Sequence, residues 1–263
     1  MGGGRTDSDD RSGADVPTSA QVWNYWQGGS EHGSAGREAG ERGRLAFPGV
    51  VDVARSSRAF ITRSVRFLVG EAGVDQVLDV GPGLPTANPT HEIAERISRH
   101  ARVGYVDVDP QVRQRYQELL GEQPRHAVLD ADMCDPRSTL LRVAESFDLN
   151  RPVGLMLMGV LGHAGDDEQV LRVVHGLVGG LASGSYLAVH ETLDTDPEAA
   201  RAAAEYAATG APQYLLRSPE VVADYFRGLD LVDPGLVPCH QWRPDGAEPA
   251  AEHFSRCAVG RKP

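Results

Sequence analysis

The sequence predicts an α/β chain in which a doubly wound sheet follows an N-terminal helical cap. Three observations carry that expectation. From residue 74 onward, short apolar runs alternate with helical patterns, as βα units require. Residues 153–160 are apolar almost throughout, as in a strand whose two faces are both covered by helices. Residues 17–72 carry helical spacing and no strand alternation, so the expected division is a cap over 17–72 and a sheet domain over 73–263.

Residues 1–16 are Gly, Asp, Arg and Ser with almost nothing apolar, and are expected to be a disordered tail. Pro17, Thr18 and Ser19 offer a hydroxyl cap to a short helix through Val22, Trp23 and Trp26. A charged, Gly-rich stretch follows, from Gly28 to Gly43, and then a long helical pattern through Val50, Val53, Ala54, Phe60, Ile61, Val65 and Leu68. Arg63 and Arg66 read as a solvated face of that helix.

Val77 to Val80 form the first strand, which runs into Gly81, Pro82 and Gly83. Asn88 and Pro89 predict a cap with proline at the first helical position, opening a helix through Ile93, Ala94 and Ile97. Residues 103–107 are a second strand ending in an acid, 111–120 a helix, and 127–129 a third strand ending near Asp130 and Asp132. After the fourth strand come a helix over 170–181 and a fifth strand over 185–189. Asp196-Pro197-Glu198 and Ser218-Pro219-Glu220 each combine a cap, a proline and a first-turn acid, so each opens a helix. Residues 236–242 and 253–259 are expected to be two strands joined through Pro244, Asp245 and Gly246.

Composition narrows the function. The 263 residues hold 26 Lys+Arg against 37 Asp+Glu, a net charge of −11. No basic stripe is available to neutralise phosphates, which disfavours a nucleic-acid partner. No apolar run approaches the ~18 residues of a membrane span, and no leader-like segment opens the chain. The expected partner is therefore a small molecule and the expected location the cytoplasm, with a homo-oligomer as an open alternative. The three cysteines stand far apart and the nine histidines lack ligand spacing, so no metal site is expected.

A strand that delivers a glycine turn to a helix N-terminus is a seat for a polar ligand, because the backbone can come close and free N–H groups face it. The turn Gly81-Pro82-Gly83-Leu84-Pro85-Thr86 lacks the third glycine of a dinucleotide fingerprint, which disfavours an NAD dehydrogenase. Asp107, at the end of the next strand, is placed to accept hydrogen bonds from ribose hydroxyls. Asp109 precedes Pro110 and reads as a helix cap, while Asp132 falls where an adenine amino group could be held.

These residues, together with the motifs around Val22-Trp23-Asn24-Tyr25-Trp26, Ala54-Arg55-Ser56-Ser57-Arg58, Leu215-Leu216-Arg217-Ser218 and Gly260-Arg261-Lys262-Pro263, resemble an actinobacterial S-adenosyl methyltransferase family. That family, once a domain of unknown function, lies within the class I S-adenosylmethionine-dependent methyltransferases. The resemblance implies a Rossmann-like sheet of seven strands, mostly parallel with the last one antiparallel. It implies S-adenosylmethionine as cofactor and S-adenosylhomocysteine as product, bound by Gly81, Gly83, Pro85, Thr86, Asp107, Val108, Asp132 and Met133. This chain departs from the family pattern at Asn24, Gly36 and Ser57, where relatives carry Asp, Asp and Asn, and at Leu161-Gly162-His163, where a His-His-like pair is common.

Methyl transfer from a sulfonium needs positioning and, for a protonated acceptor, a base. His163, just past the fourth strand, is the expected base, with Tyr25 and Asn24 beside it as catalytic candidates. Trp23 and Trp26 are expected mainly in the core, with Trp26 also reaching the substrate. Arg37, His190 and Glu191 are the remaining substrate candidates, and Arg55 either binds a carboxylate or pairs on the surface. The reading is a small-molecule methyltransferase of specialised metabolism. Its alternatives are a cyclase or lyase releasing methylthioadenosine, and a non-catalytic protein that binds S-adenosylmethionine.

Overall fold

The computed structural model describes residues 16–246 and 254–263. The expected tail lies outside the described residues except for Val16. Three helices come first: Ser19–Trp26 (α1), Gly33–Ala46 (α2) and Val50–Val65 (α3), the last widening into a π-type turn over Arg66–Glu71. Gln76–Val80 (β1), Thr90–Ile97 (α4), Arg102–Asp107 (β2), Pro110–Leu120 (α5), Ala127–Asp130 (β3), Pro136–Val143 (α6) and Gly154–Met158 (β4) follow. Then come Asp167–Gly179 (α7), Tyr186–Thr192 (β5), Pro197–Ala207 (α8), Pro219–Asp224 (α9), Asp230–Leu231 (β6) and Ser255–Arg261 (β7).

The seven strands form one sheet in the order β3-β2-β1-β4-β5-β7-β6. β1 to β5 run parallel, and β7 inserts antiparallel between β5 and β6. Side chains alternate along each strand, so the two faces carry two cores. Leu78, Leu155, Leu157 and Val189 pack on α7 and α9 on one face. Val77, Met156 and Ala188 pack on α3, α4 and α5 on the other. Among the described residues, no helix is long and apolar enough to cross a membrane.

Local chemistry sets most of the helix starts. α5, α6, α8 and α9 each begin with proline behind Asp109, Asp135, Asp196 or Ser218, whose side chain accepts a first-turn amide. α4 corrects an expectation: Pro89 stands at the cap position and not at the first helical one, Thr90 opens the helix, and Asn88, with a left-handed φ of 57°, makes no cap bond.

The Gly-rich stretch, for which the sequence named no element of its own, is a helix, because Gly36, Gly40 and Gly43 give α2 a surface bare enough to lie on α1. A Cβ at these positions would strike Gln21, Tyr25 and Trp26. Two further expectations need correction. Residues 236–242 are not a strand: Val237 makes one antiparallel bridge to Cys257, Pro238 has no N–H to continue a ladder, and Cys239–Gln241 is a 3-10 turn. The pairing partner of β7 is β6 instead, and His253 lies outside the described residues. Arg63 is not solvated. It is 4% exposed and donates from Nε to the Trp242 carbonyl at 2.8 Å and from a terminal nitrogen to the Cys239 carbonyl at 2.6 Å.

Arg63 therefore fastens the C-terminal 3-10 turn to α3. Replacing it by Met takes the charged donor from the Trp242 carbonyl and leaves the Cys239 carbonyl with only the Trp242 amide, so Arg63→Met is expected to cost about 1–3 kcal/mol and to lower Tm by roughly 3–10 °C. Thermal unfolding by calorimetry checks this, and an unchanged Tm would show that the turn is held by packing alone.

Candidate active site

A hollow of about 1030 Å3, counting its open mouth, lies over the carboxyl ends of β1, β4 and β5. α4, after β1, covers one face of the sheet and α7, after β4, covers the other. Open α/β sheets form a crevice where successive connections part in this way.

The turn after β1 forms the floor. Gly81 and Gly83 have φ of 65° and 67°, a region side chains rarely adopt. A Cβ on Gly81 would run into the Val160 side chain, whereas one on Gly83 would meet open space. Beside the turn, Asp107 ends β2. Its Oδ1 accepts the Asp109 amide at 2.9 Å, and the Gly83 amide also bonds to the carboxylate. Burial pushes its pKa up to about 6 despite those donors. Asp79, on β1, is buried and accepts a hydrogen bond from Thr90 Oγ1 at 2.6 Å; burial raises its pKa too.

The cap forms the roof. Ser19, Val22, Trp23 and Trp26 of α1 line the hollow, joined by Phe47 and by Val50 of α3. α8 adds Ala199, Ala202, Ala203 and Tyr206. Trp23 and Trp26 meet edge to face with ring centroids 5.7 Å apart. Three side chains tie α1 to neighbouring elements and a fourth holds the turn after it. Gln21 Nε2 donates to Gln111 Oε1 (3.1 Å), Asn24 Nδ2 to the Pro85 carbonyl (3.4 Å) and Trp26 Nε1 to the Gly40 carbonyl (2.8 Å). Just past the helix, Glu31 takes both ends of the Arg115 guanidinium at 2.6 Å.

His163 lines the wall beyond β4. Its Nδ1 lies 2.8 Å from the Gln213 carbonyl, which can only accept, so Nδ1 carries the proton. Nε2 is then left to accept from the Ser19 hydroxyl at 2.9 Å. Burial holds the imidazole pKa below its usual value, which favours this neutral form. Tyr214 stands edge-on to His163 at 5.0 Å, and donates from its hydroxyl to Glu191 Oε1 at 3.0 Å. Arg217 anchors the loop under His163. Nearly fully buried, it donates to the carbonyls of Leu161 and Gly165 and to Asp167.

The hollow thus gathers Gly81, Gly83, Trp26 and His163, with Asp107 beside its floor. Other sequence candidates stand elsewhere. Asp132, exposed and bonded to the Cys134 amide, and Met133, buried in the core, sit at the end of β3 on the far side of Asp107. Val108 is 58% exposed next to Asp107. Pro85 and Thr86 line a separate shallow groove with Gly28, Gly29 and Arg115.

Tyr25 and Arg37 sit in a recess on the outer side of the cap, where the Tyr25 hydroxyl donates to Glu41 at 2.7 Å. The helix turns Trp23 and Trp26 inward, where both pack on the core as expected and line the hollow, as expected of Trp26 alone. Asn24 is 1% exposed and spent on the Pro85 carbonyl and the Glu31 amide, so it is a clamp and not a reacting group. His190 and Glu191 are fully buried beneath the walls, behind Trp23 and Tyr214, and line no part of the hollow. Arg55 is exposed and pairs with Asp52 at 3.7 Å.

Sequence reasoning missed Arg58 and Ser19. Arg58 lines the hollow and donates to the carbonyls of Ala87 and Asn88. Its signal was a single polar residue in the apolar stripe Val50, Ala54, Arg58, Ile61. Ser19 was absorbed into the helix-start signal, yet Thr18 makes the cap and leaves the Ser19 hydroxyl free for His163.

Residues 5–263 match the family model described as S-adenosyl methyltransferase. A candidate methyltransferase from Thermobifida fusca superposes with a TM-score of 0.89 at 36% identity, covering 96% of each chain. A DUF574 family protein from Streptomyces avermitilis gives 0.87 at 36% identity over 93% of this chain and 97% of its own. The N-methyltransferase NodS from Bradyrhizobium japonicum shares the fold at 17% identity, with a TM-score of 0.51 over 80% of this chain and 97% of its own. No curated protein matches the chain.

The desolvation of Asp107 is directly measurable. Its side-chain carboxyl is expected to titrate near pH 6 in the free protein, followed by carbon-13 NMR with Asp107→Asn to assign the signal. A midpoint at the ordinary aspartate value near 3.9 would show a solvated carboxylate.

Proposed function

The chain belongs to the S-adenosyl methyltransferase family and is an S-adenosylmethionine-dependent methyltransferase, and from that premise we propose that it methylates a small molecule of specialised metabolism held under the cap. One observation carries this reading. The hollow is continuous from the Gly81-Pro82-Gly83 turn to the apolar chamber roofed by α1 and α8, so cofactor and acceptor would share one enclosed space. A chamber roofed by helices and lined mostly by apolar side chains suits a small ligand. Its apolar lining suits a specialised metabolite better than the charged intermediates of central metabolism.

The residues fit the cofactor. Gly83 leaves open space where a side chain would stand, so the backbone can meet a ligand closely. Asp107 is a desolvated acceptor, as ribose hydroxyls need. Arg58, at the same end of the hollow, supplies a cation for the cofactor's carboxylate. When bound, the cofactor supplies a methyl group already activated by a sulfonium.

The chain's own residues then have three tasks. Asp107 and the glycine turn fix the cofactor's position. Trp23, Trp26 and the tied-down α1 exclude water from the acceptor. His163, neutral and with Nε2 facing the hollow, takes up a proton when the acceptor carries one. Positioning of this kind supplies several kcal/mol, up to roughly 7–11, and a base contributes about 10²–10⁴-fold more.

Mass spectrometry of the ligand carried by the purified protein is expected to show S-adenosylmethionine or S-adenosylhomocysteine. Methylthioadenosine in its place would mean that another bond at the sulfur is broken. By calorimetry, Asp107→Ala is expected to weaken S-adenosylhomocysteine by ~1.5–3 kcal/mol, about 10- to 150-fold. The pH dependence has a definite sign. Ribose hydroxyls donate to the ionised carboxylate, so affinity should be flat above pH 6 and fall up to tenfold per pH unit below it, as the proton on Asp107 must first leave. Asp107→Asn should remove that slope, and a wild-type profile flat from pH 5 to 8 would contradict the assignment.

A further inference from the structure

The acceptor end of the hollow has a composition of its own. Away from the glycine turn its walls are mostly apolar, built by Trp23, Trp26, Phe47, Val50, Ala199 and Ala202. The uncharged polar side chains of Gln27, Thr192 and Tyr214 also line the hollow, and Ser19, His163 and Tyr206 form its polar patch. Among the described residues, no Asp, Glu, Lys or Arg side chain lines that end: the charged groups Arg58 and Asp79 both belong to the cofactor end, engaged with the 87–88 carbonyls and with Thr90. An acceptor with a full charge would be desolvated there without a counter-ion, at a cost that excludes tight binding. Aromatic and alanine walls favour an apolar body, and the indoles favour a ring.

The polar patch is organised as a receiver of a proton. His163 is held by the Gln213 carbonyl through Nδ1, which fixes Nε2 as an acceptor aimed at Ser19 Oγ. The Ser19 hydroxyl, donating to Nε2, has its own lone pairs left for a donor from the hollow. Tyr206, whose burial pushes its hydroxyl pKa up to about 12, stands beside Ser19 and stays protonated.

We propose that the acceptor is an uncharged apolar ring compound bearing a hydroxyl, which seats on Ser19 and is O-methylated through the Ser19–His163 pair. The inference rests on the methyltransferase reading and adds the substrate class. As the acceptor oxygen forms its bond to the methyl carbon, the carbon–sulfur bond breaks and its electron pair neutralises the sulfonium to a thioether. The acceptor's proton passes to Ser19 Oγ while the Ser19 proton passes to His163 Nε2. The imidazolium then returns one proton to water, so one proton is released per methyl group transferred.

Binding can be read without turnover. The full chain is saturated with S-adenosylhomocysteine and titrated at pH 7.5 with 1-naphthol, naphthalene, 1-naphthoate and 1-naphthylmethylammonium, following heat and tryptophan quenching. 1-Naphthol is expected to bind at least about tenfold more tightly than either ion and several-fold more tightly than naphthalene. Ser19→Ala and His163→Gln should each bring 1-naphthol within about twofold of naphthalene, while naphthalene and S-adenosylhomocysteine bind as before, which also reports an intact fold. Equal or tighter binding of either ion, a hydroxyl preference that survives both substitutions, or no binding of 1-naphthol to the loaded protein would each overturn the proposal. Failure of S-adenosylhomocysteine itself to bind would instead remove the reading beneath it.

Discussion

The site depends first on an absence, the missing side chain of Gly81. Val160 occupies the space that a Cβ would need, so the turn after β1 and the loop after β4 can lie against each other while their helices leave on opposite faces of the sheet. Any larger residue at 81 would have to push the two strand ends apart or abandon its left-handed φ. The crevice and the reach of Asp107 toward Gly83 both follow from that one close approach.

The cap is a second constraint laid over the first. Arg115 and Glu31 are partly exposed, and such pairs contribute at most about 1 kcal/mol. Asn24 matters more because it is buried, and its two ends do different work. The amide nitrogen donates to the Pro85 carbonyl, on the loop that leaves the glycine turn, and the amide oxygen accepts from Glu31. An ionised aspartate would turn a lone pair toward the Pro85 carbonyl and lose the donor, at the cost of an unpaired buried group. Asn24 thus couples the helical roof of the hollow to the loop that leaves the glycine turn at its floor. A reading of residue 24 as a reacting group confuses a hinge pin with a tool.

How far the sequence carries a reader depends on which forces act locally. Strand order along the chain, the proline-led starts of α5, α8 and α9 and the glycine turn were legible because each rests on a few adjacent residues, as with Asp196 and Pro197. The glycine-rich α2 was not, since its stability comes from the α1 surface that its glycines fit and not from its own propensity. β6 is two residues long, and nothing in Asp230 or Leu231 marks a strand until β7 is beside them. In the site, Tyr25 was set inward on the resemblance alone, whereas residues 23 and 25 lie about 200° apart around a helix, so an inward Trp23 turns Tyr25 outward. Arg63 and Arg58 look alike in the sequence, but one ends on buried carbonyls of the C-terminal turn and the other faces the hollow.

The titratable groups around the hollow share a direction that has a functional consequence. Burial raises the pKa values of Asp79, Asp107 and Glu191 and lowers that of His163, so the surroundings oppose charge at every one of them. Asp107, at about 6, is nonetheless mostly ionised at neutral pH, a negative charge held in a poorly solvated place. A desolvated anion attracts a cationic ligand more strongly than a solvated one would, because the effective dielectric is lower. Methyl transfer removes one positive charge from S-adenosylmethionine, and an ionised carboxylate attracts the sulfonium more than it attracts the neutral thioether.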